Sequence, residues 1–215
     1  MKNILLIGLG HFGRALAMEL SARGHQIMAV DEQEKRVNEV LPYVTDALIG
    51  DTTSESFLKS LGVSNFDVCV VAIGNDFQSS LETTSMLKEL GGQTVVSYAD
   101  SEVQKKFLLR NGADFVINPA VQIAQWASVR FASDHVLDFI SIDEEHAVLE
   151  VTVPEAWAGK TVGEIDIRRR HGITLIAVKR DDHTDLSITP DTLIMGNDTL
   201  LVLGDQKAVR KCFGV

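Results

Sequence analysis

The sequence has few cysteines and fewer basic than acidic side chains, and both shortages restrict the class of protein. Its 215 residues include two cysteines, Cys69 and Cys212, with no CxxC pair and no metal-ligand spacing. We therefore expect a reducing, cytoplasmic compartment and predict no metal site. The formal net charge of -10 argues against a general nucleic-acid binder and against direct contact with anionic lipids.

Long apolar segments are also missing. The longest uncharged run in the middle of the chain, Phe115 to Val129, contains Asn118 and other polar residues and does not suit a bilayer span. Residues 1–10 contain one Lys and a short apolar run, and His11 and Arg14 follow at once, so we interpret this segment as a first strand and not as a signal peptide. The sequence predicts no direct membrane insertion, and any role at a membrane would require a partner protein.

Familiar catalytic patterns are absent as well. The two tyrosines, Tyr43 and Tyr98, are followed four residues later by Ala47 and Glu102, so the Tyr-xxx-Lys pair of short-chain dehydrogenases does not occur. The six histidines show no HExxH spacing, and residues 158–161 lack the earlier glycine of a P-loop. We predict no catalytic residue and expect the protein not to be an enzyme. A small NAD-dependent oxidoreductase is the alternative that stays open.

What the sequence does contain is a regular alternation of apolar strands and amphipathic helices over about its first 118 residues. Continuous apolar segments, such as Ile4 to Ile7 and Val68 to Ile73, are typical of parallel strands covered on both faces. Parallel strands need helical crossovers, and strand and helix alternate along this whole region. The pattern predicts a doubly wound parallel-sheet (Rossmann) α/β domain at residues 1–118.

The pattern changes after Pro119. A helix is predicted at residues 121–132, within a connecting segment that we place at residues 119–134. The shorter strands that follow predict a small α+β domain at residues 135–215, with a basic helix at residues 162–170.

The most informative motif is the glycine turn after the first strand. Gly8, Gly10 and Gly13 form the G-x-G-x-x-G spacing, and Asp31 ends the second predicted strand. Gly8 allows a tight turn, Gly10 allows phosphate to approach the backbone, and Gly13 allows the helix to pack closely. A carboxylate at the position of Asp31 can accept hydrogen bonds from ribose hydroxyls and repels a 2′-phosphate. The motif therefore predicts binding of NAD, ATP or ADP in preference to NADP.

The ends of other parallel strands border the same crevice, because ligands bind at the carboxyl ends of strands near the switch point of the sheet. Asp76 is open to two interpretations, a site residue or a helix cap. The predicted nucleotide site consists of Gly8, Leu9, Gly10, His11, Phe12, Gly13, Asp31, Glu32, Asp51, Thr52, Ile73, Gly74 and Asn75.

Several segments together resemble the RCK (regulator of potassium conductance) proteins, in particular the cytosolic subunits of Trk/Ktr-type potassium uptake systems. These segments are GLGHFG at 8–13, GDTT at 50–53, VVAIGND at 70–76, NGADFVINP at 111–119, and the C-terminal stretches 159–180 and 192–205. The resemblance implies a nucleotide-binding N-terminal RCK domain and a C-terminal RCK domain. It also implies a crossover helix used in dimerisation, here with Trp126 and Phe131, and dimers assembled into a homo-octameric ring beneath a membrane potassium transporter.

In this resemblance the nucleotide, ATP/ADP or NAD(H), is a regulatory signal that changes the shape of the ring. Close relatives often have Arg where this chain has His11, and some have a metal-binding Glu where it has Ala120. The resemblance also implies a possible second ligand, cyclic di-AMP, on the C-terminal domain. Its residues would be Asp166, Arg168, Thr174, Leu175 and Ile176, although the same basic helix face could simply be solvated.

Overall fold

The computed structural model describes residues 1–143, 145–181 and 183–213. Residues 144, 182, 214 and 215, all in the predicted C-terminal domain, lie outside the described part. The chain divides into two compact units, Met1–Ala120 and Val121–Val215. The boundary between them falls inside a helix of the predicted connecting segment.

The N-terminal unit alternates strands and helices throughout its length, as the sequence predicts. Its strands are β1 (Asn3–Ile7), β2 (Gln26–Asp31), β3 (Asp46–Ile49), β4 (Val68–Val71), β5 (Val95–Tyr98) and β6 (Phe115–Ile117). Its helices are α1 (His11–Ala22), α2 (Glu34–Val40), α3 (Glu55–Ser60), α4 (Phe77–Glu89) and α5 (Glu102–Arg110), and α6 (Pro119–Arg130) crosses the boundary.

The strands form one parallel sheet in the order β3-β2-β1-β4-β5-β6. Successive residues of β1 face opposite sides, so that Leu5 and Ile7 join one buried cluster while Ile4 and Leu6 join another. Both faces of the sheet are therefore covered, which explains the continuous apolar strands. The arrangement confirms the predicted doubly wound fold and places its switch point between β1 and β4.

Short polar side chains set the beginnings of three helices near the carboxyl ends of the strands. Ser54, Asp76 and Ser101 each accept a hydrogen bond from a backbone N–H in the first turn of α3, α4 and α5, respectively. These caps replace hydrogen bonds that a helix cannot make within itself. Asp76 is thus a helix cap, and the same residue also lines the cleft described below.

The C-terminal unit is an α+β domain built on an antiparallel sheet. Its strands are β7 (Val136–Ser141), β8 (His146–Thr152), β9 (Lys160–Thr161), β10 (Thr174–Arg180), β11 (His183–Asp185), β12 (Leu193–Ile194) and β13 (Thr199–Asp205). Its helices are α7 (Val162–Ile165), α8 (Ile167–His171) and α9 (Gln206–Phe213). The described strands pair in the order β11-β10-β13-β8-β7, and β12 pairs with β9 separately.

One prediction about this unit was wrong, because the single basic helix at residues 162–170 is two short helices. Asp166 lies between them with a φ of 50°, in the left-handed region. Asp tolerates that conformation better than most residues, since its short polar side chain can hydrogen-bond locally.

A bidentate ion pair in the C-terminal unit joins the end of β10 to the turn before β13. Arg180 donates to the buried Asp198 carboxylate from Nε at 2.7 Å and from Nη2 at 2.8 Å. This partner, more than any other group, lowers the pKa of Asp198 below its usual value. Asp198 Oδ2 also accepts the backbone N–H of Met195 at 2.7 Å, so the carboxylate closes the turn from both sides.

Helix α6 differs from the others because none of its 12 described residues is buried. Ile123, Trp126 and Phe131 keep 62%, 37% and 74% of their surface exposed, respectively. Trp126 donates a 2.8 Å hydrogen bond to Asp138, and its ring contacts that of Phe131 edge to face. Among the helices of the described residues, none is both long and apolar enough to cross a bilayer.

Candidate functional site

A cleft of about 590 Å³ opens above the carboxyl ends of the parallel strands, at the switch point of the N-terminal sheet. All of the predicted nucleotide-site residues line this cleft except Gly13, which is buried in α1. The cleft also takes in residues that the sequence did not single out: Arg14, Gln33, Lys35, Arg36, Glu39, Ser79 and Tyr98. Open crevices at this place in parallel sheets are where nucleotides bind.

The glycine turn is shaped by two tight positions and one open position. Gly8 has a φ of +89°, and a Cβ atom there would lie 2.9 Å from the backbone of Ala72. A Cβ atom on Gly13 would lie 1.9 Å from the carbonyl oxygen of Gly8. At Gly10 nothing lies within 4 Å of the Cβ position. Two glycines are therefore required by the fold itself, whereas Gly10 keeps space free in the cleft.

Helix α1 begins directly beneath that free space. Its N-cap residue is Gly10, and no described side chain caps this end. The backbone N–H groups of a first helical turn have no acceptor within the helix, and the helix dipole adds partial positive charge there. This combination binds phosphate groups in many nucleotide sites. The arrangement can therefore hold the anionic part of a nucleotide.

Asp31 ends β2 and is 95% buried, with 5% of its surface exposed. Its Oδ2 accepts the backbone N–H of Leu9 at 2.7 Å, and its Oδ1 accepts that of Gln33 at 2.9 Å. Arg36 lies 3.5 Å from Oδ2. A carboxylate oxygen has two lone-pair directions, so Oδ1, which accepts one hydrogen bond, retains capacity for a ribose hydroxyl. Asp31 thus ties the glycine turn to the second strand and is also placed to face a ligand.

The turn after β3 contributes two residues in different ways. Asp51 is exposed, and its Oδ1 accepts hydrogen bonds from the hydroxyl of Thr53 at 2.7 Å and from its N–H at 2.8 Å. These bonds, led by the hydroxyl, lower the pKa of Asp51. Thr52 is buried and its hydroxyl lies 3.1 Å from that of Thr83 in α4. Asp51 is available to a ligand, whereas the Thr52 hydroxyl already has a partner within the protein.

An aromatic pair borders the other side of the cleft, beyond β4. The rings of Phe12 and Tyr98 are 5.4 Å apart between centroids, and a Cβ atom on Gly74 would lie 3.2 Å from the Tyr98 ring. The Tyr98 hydroxyl donates to Asp100 at 2.6 Å, which, together with burial, raises the pKa of the phenol. Sequence reasoning considered Tyr98 only as part of a dehydrogenase pair. Its position at the end of a parallel strand, β5, is the signal that could have placed it at the cleft.

Charged side chains of α1 and α2 form the remaining wall. Arg14 makes an ion pair with Glu39 of α2, and its Nη2 also lies 3.3 Å from Nδ1 of His11. Lys35 and Arg36 add two further positive groups from the first turn of α2. These residues belong to no motif, so nothing in the sequence indicated that they share a site with the glycine turn.

The residues of the predicted second site are distributed over the C-terminal unit: Asp166 precedes α8, Arg168 is on α8, and Thr174, Leu175 and Ile176 are on β10. Arg168 and Thr174 are exposed, while Asp166, Leu175 and Ile176 are partly buried. Leu175 packs against the core of this unit, and the register of β10 shifts between Leu175 and Ala177. The side chain of Asp166 lies 3.9 Å from Nε of Arg169.

Comparison with known proteins divides the chain at similar places. Residues 4–119 match the TrkA-N domain family, and residues 147–213 match the TrkA-C domain family. Ktr system potassium uptake protein C of Bacillus subtilis is 38% identical over 203 residues, which are 94% of this chain and 92% of that protein. Ktr system potassium uptake protein A of the same organism is 32% identical over 210 residues, which are 98% of this chain and 95% of that protein.

Solved structures show the same fold at lower identity. The GsuK channel bound to NAD superimposes with a TM-score of 0.68 at 20% identity over all of this chain. The chain spans 40% of the length of that channel protein. With the domain families matched along most of the sequence and close relatives aligned nearly end to end, this chain belongs to the family of TrkA-N and TrkA-C domain proteins that includes the Ktr system potassium uptake proteins.

Proposed function

We propose that this protein is a cytoplasmic, nucleotide-sensing regulatory subunit of a potassium uptake system. The observation that carries the proposal is the cleft at the switch point, where the uncapped start of α1 faces open space above Gly10. That geometry suits a bound phosphate chain. The names of the relatives supply the transport context, since both are potassium uptake proteins of Ktr systems.

The proposed ligand is ATP or ADP, or NAD(H), bound and released without chemical change. Asp31 and Asp51 are the carboxylates placed to meet the nucleoside, at the ends of β2 and β3. The phosphates would lie over the first turn of α1. A fold neighbour, the GsuK channel, has been solved bound to NAD.

Regulation in this proposal rests on differential binding. A ligand shifts a conformational equilibrium only by the ratio of its affinities for the two conformations. The partner is an integral-membrane potassium channel or transporter subunit, contacted by a homodimer that assembles into a homo-octameric ring. The exposed apolar side chains of Ile123 and Trp126 on α6, and of Phe131 directly after it, support a dimer contact along this segment.

The proposed division of labour follows the sequence. Residues 1–118 bind the nucleotide, residues 119–134 connect and dimerise, and residues 135–215 form a C-terminal regulatory domain. For that last domain we propose cyclic di-AMP as a second ligand. The exposed Arg168 could supply a phosphate contact, and the partly exposed Leu175 and Ile176 could supply an apolar surface, which supports such a site.

The proposal is tested by thermal-shift titration of the purified protein with ADP, ATP, NADH and cyclic di-AMP, beside its mass in solution. Gly10→Ala is the diagnostic variant, because its methyl group enters open space and leaves the fold intact while obstructing the phosphates. Gly196→Ala is the matched control, since its Cβ position lies 3.5 Å from that of Ala158, an ordinary contact distance.

We expect wild type and Gly196→Ala to be stabilised equally by an adenine nucleotide, and Gly10→Ala to melt at the wild-type temperature without that stabilisation. A protein that gains no stability from any of these nucleotides would contradict the proposal. So would consumption of NADH with a carbonyl substrate, which is the result expected of an oxidoreductase.

A further inference from the structure

Arg14 lies at the rim of the cleft, where its guanidinium contacts two side chains at once. Its Nη1 pairs with the Glu39 carboxylate of α2, and its Nη2 lies 3.3 Å from His11 Nδ1. A guanidinium offers only donors, so this contact uses Nδ1 of His11 as the acceptor. The side chains of Arg14 and Glu39 are 35% and 36% exposed, so water and ligands reach both partners.

The charges that line the cleft make this position important for an anionic ligand. Acidic side chains outnumber basic ones in the lining of the cleft. The acidic residues are Asp31, Glu32, Glu39, Asp51 and Asp76, and the basic residues are Arg14, Lys35 and Arg36. Arg36 lies against Asp31, 3.5 Å from its Oδ2, at the end of β2. Among these lining cations, Arg14 is the one that stands on α1, the helix whose first turn faces the open space above Gly10.

Building on the proposed nucleotide function, we propose that Arg14 distinguishes nucleotides by the charge of their phosphate chain and that Glu39 competes with the phosphates for it. Without ligand, Glu39 holds the guanidinium. Phosphate oxygens then replace the carboxylate, because Arg and phosphate form short, charge-assisted and often bidentate hydrogen bonds. A ligand can displace Glu39 at little cost in free energy, since a partly exposed ion pair of this kind contributes little to stability.

The exchange also has a structural consequence. The Arg14–Glu39 pair joins α1 to α2, two helices that otherwise pack through apolar side chains on the same face of the sheet. A longer and more highly charged phosphate chain draws Arg14 away from Glu39 more completely. The number of phosphates is thereby converted into the presence or loss of a contact between two helices.

Isothermal titration calorimetry with AMP, ADP and ATP tests this role in wild type, Arg14→Gln and Glu39→Gln. We expect Arg14→Gln to weaken ATP binding about tenfold or more, to weaken ADP binding less, and to leave AMP binding within about twofold. Glu39→Gln removes the competitor and should strengthen ATP binding. Arg14→Lys, which keeps the charge without the planar fork, should recover part of the preference for ATP.

The same helix offers a matched control. Arg23 pairs with Glu19 at 3.8 Å on the exposed surface of α1, and neither residue lines the cleft. Arg23→Gln and Glu19→Gln should leave all three affinities at the wild-type values. Melting temperatures of all variants establish that each one is folded before its affinities are compared.

Two results would overturn the inference while leaving the proposed function standing. The first is an unchanged ratio of ATP to ADP affinity in Arg14→Gln. The second is a loss of ATP affinity in Glu39→Gln as large as that in Arg14→Gln, because the pair would then only hold the glycine turn in place. A wild-type protein that binds none of the three nucleotides would instead remove the proposed function and this inference together.

Discussion

Replacement of Asp31 by alanine is the sharpest test of the cleft, because this carboxylate has two separable duties. In the folded protein it accepts the N–H of Leu9, whose side chain is fully buried, at 2.7 Å. Asp31→Ala leaves that donor without a partner, and an unsatisfied buried donor costs about 1–3 kcal/mol. The N–H of Gln33 loses its acceptor too, but Gln33 is exposed and water can replace it.

We therefore expect the ligand-free variant to lose about 1–3 kcal/mol of unfolding free energy, which lowers its melting temperature by about 2–12 °C. Urea denaturation and a thermal melt without nucleotide measure this loss. Asp67→Ala is the matched control, since Asp67 accepts the N–H of Asn3 at 2.8 Å at the opposite end of β1, away from the cleft.

The second duty is measured by adding nucleotide. At about a hundred times its Kd, a ligand adds about 2.7 kcal/mol to the stability of a protein that binds it only when folded. Asp67→Ala should keep this increment, and Asp31→Ala should lose most of it. A ligand-free Asp31→Ala protein as stable as wild type would refute the structural duty, and an undiminished nucleotide increment would remove Asp31 from the site.

Three further predictions concern other parts of the chain. Gly13→Ala should cost at least about 3 kcal/mol in urea denaturation or yield no soluble protein, because its Cβ atom would lie 1.9 Å from a backbone oxygen. Asp198→Asn should destabilise the protein at pH 7. The arginine partner of Asp198 lowers its pKa in the folded state, so its contribution is present above the unfolded value of about 3.9 and is lost as pH falls through the folded value. The unfolding free energy of Asp198→Asn should therefore fall less steeply than that of wild type as the pH is lowered below about 4. Curves of unfolding free energy against pH that run parallel for the two proteins would contradict this. Burial raises the pKa of Cys69 to about 12, so a thiol reagent should label native protein at the partly buried Cys212 first, and rapid labelling of Cys69 would show that the sheet opens.

The architecture of the N-terminal unit was predictable because its signals are long and repeated. Most strands consist mainly of apolar residues and each is followed by a helix, so errors at single residues did not change the topology. The cleft followed from the same logic, since strand ends of a parallel sheet meet along one edge. The different roles of the three glycines could be found only from the backbone geometry. It shows that Gly8 and Gly13 are needed by the fold itself, whereas Gly10 leaves open space.

The parts that sequence reasoning missed depend on contacts between distant residues or on very short elements. The pairing of Arg14 with Glu39 crosses two helices, and no spacing rule links those positions. The strands β9 and β12 have two residues each, too few for any periodicity to show. The break at Asp166 uses a left-handed residue that is not glycine, so the usual signal for a helix end was missing.

The position of β13 in the C-terminal sheet has a consequence for how the chain is made. This strand pairs with β10 on one side and with β8 on the other, yet it follows both of them by many residues. While the ribosome is still making residues 199–205, the facing edges of β8 and β10 have no neighbour and can pair with the wrong strand. All strands of the N-terminal sheet are complete at residue 117, so this sheet can fold during synthesis. The C-terminal sheet can form only after β13 has been made.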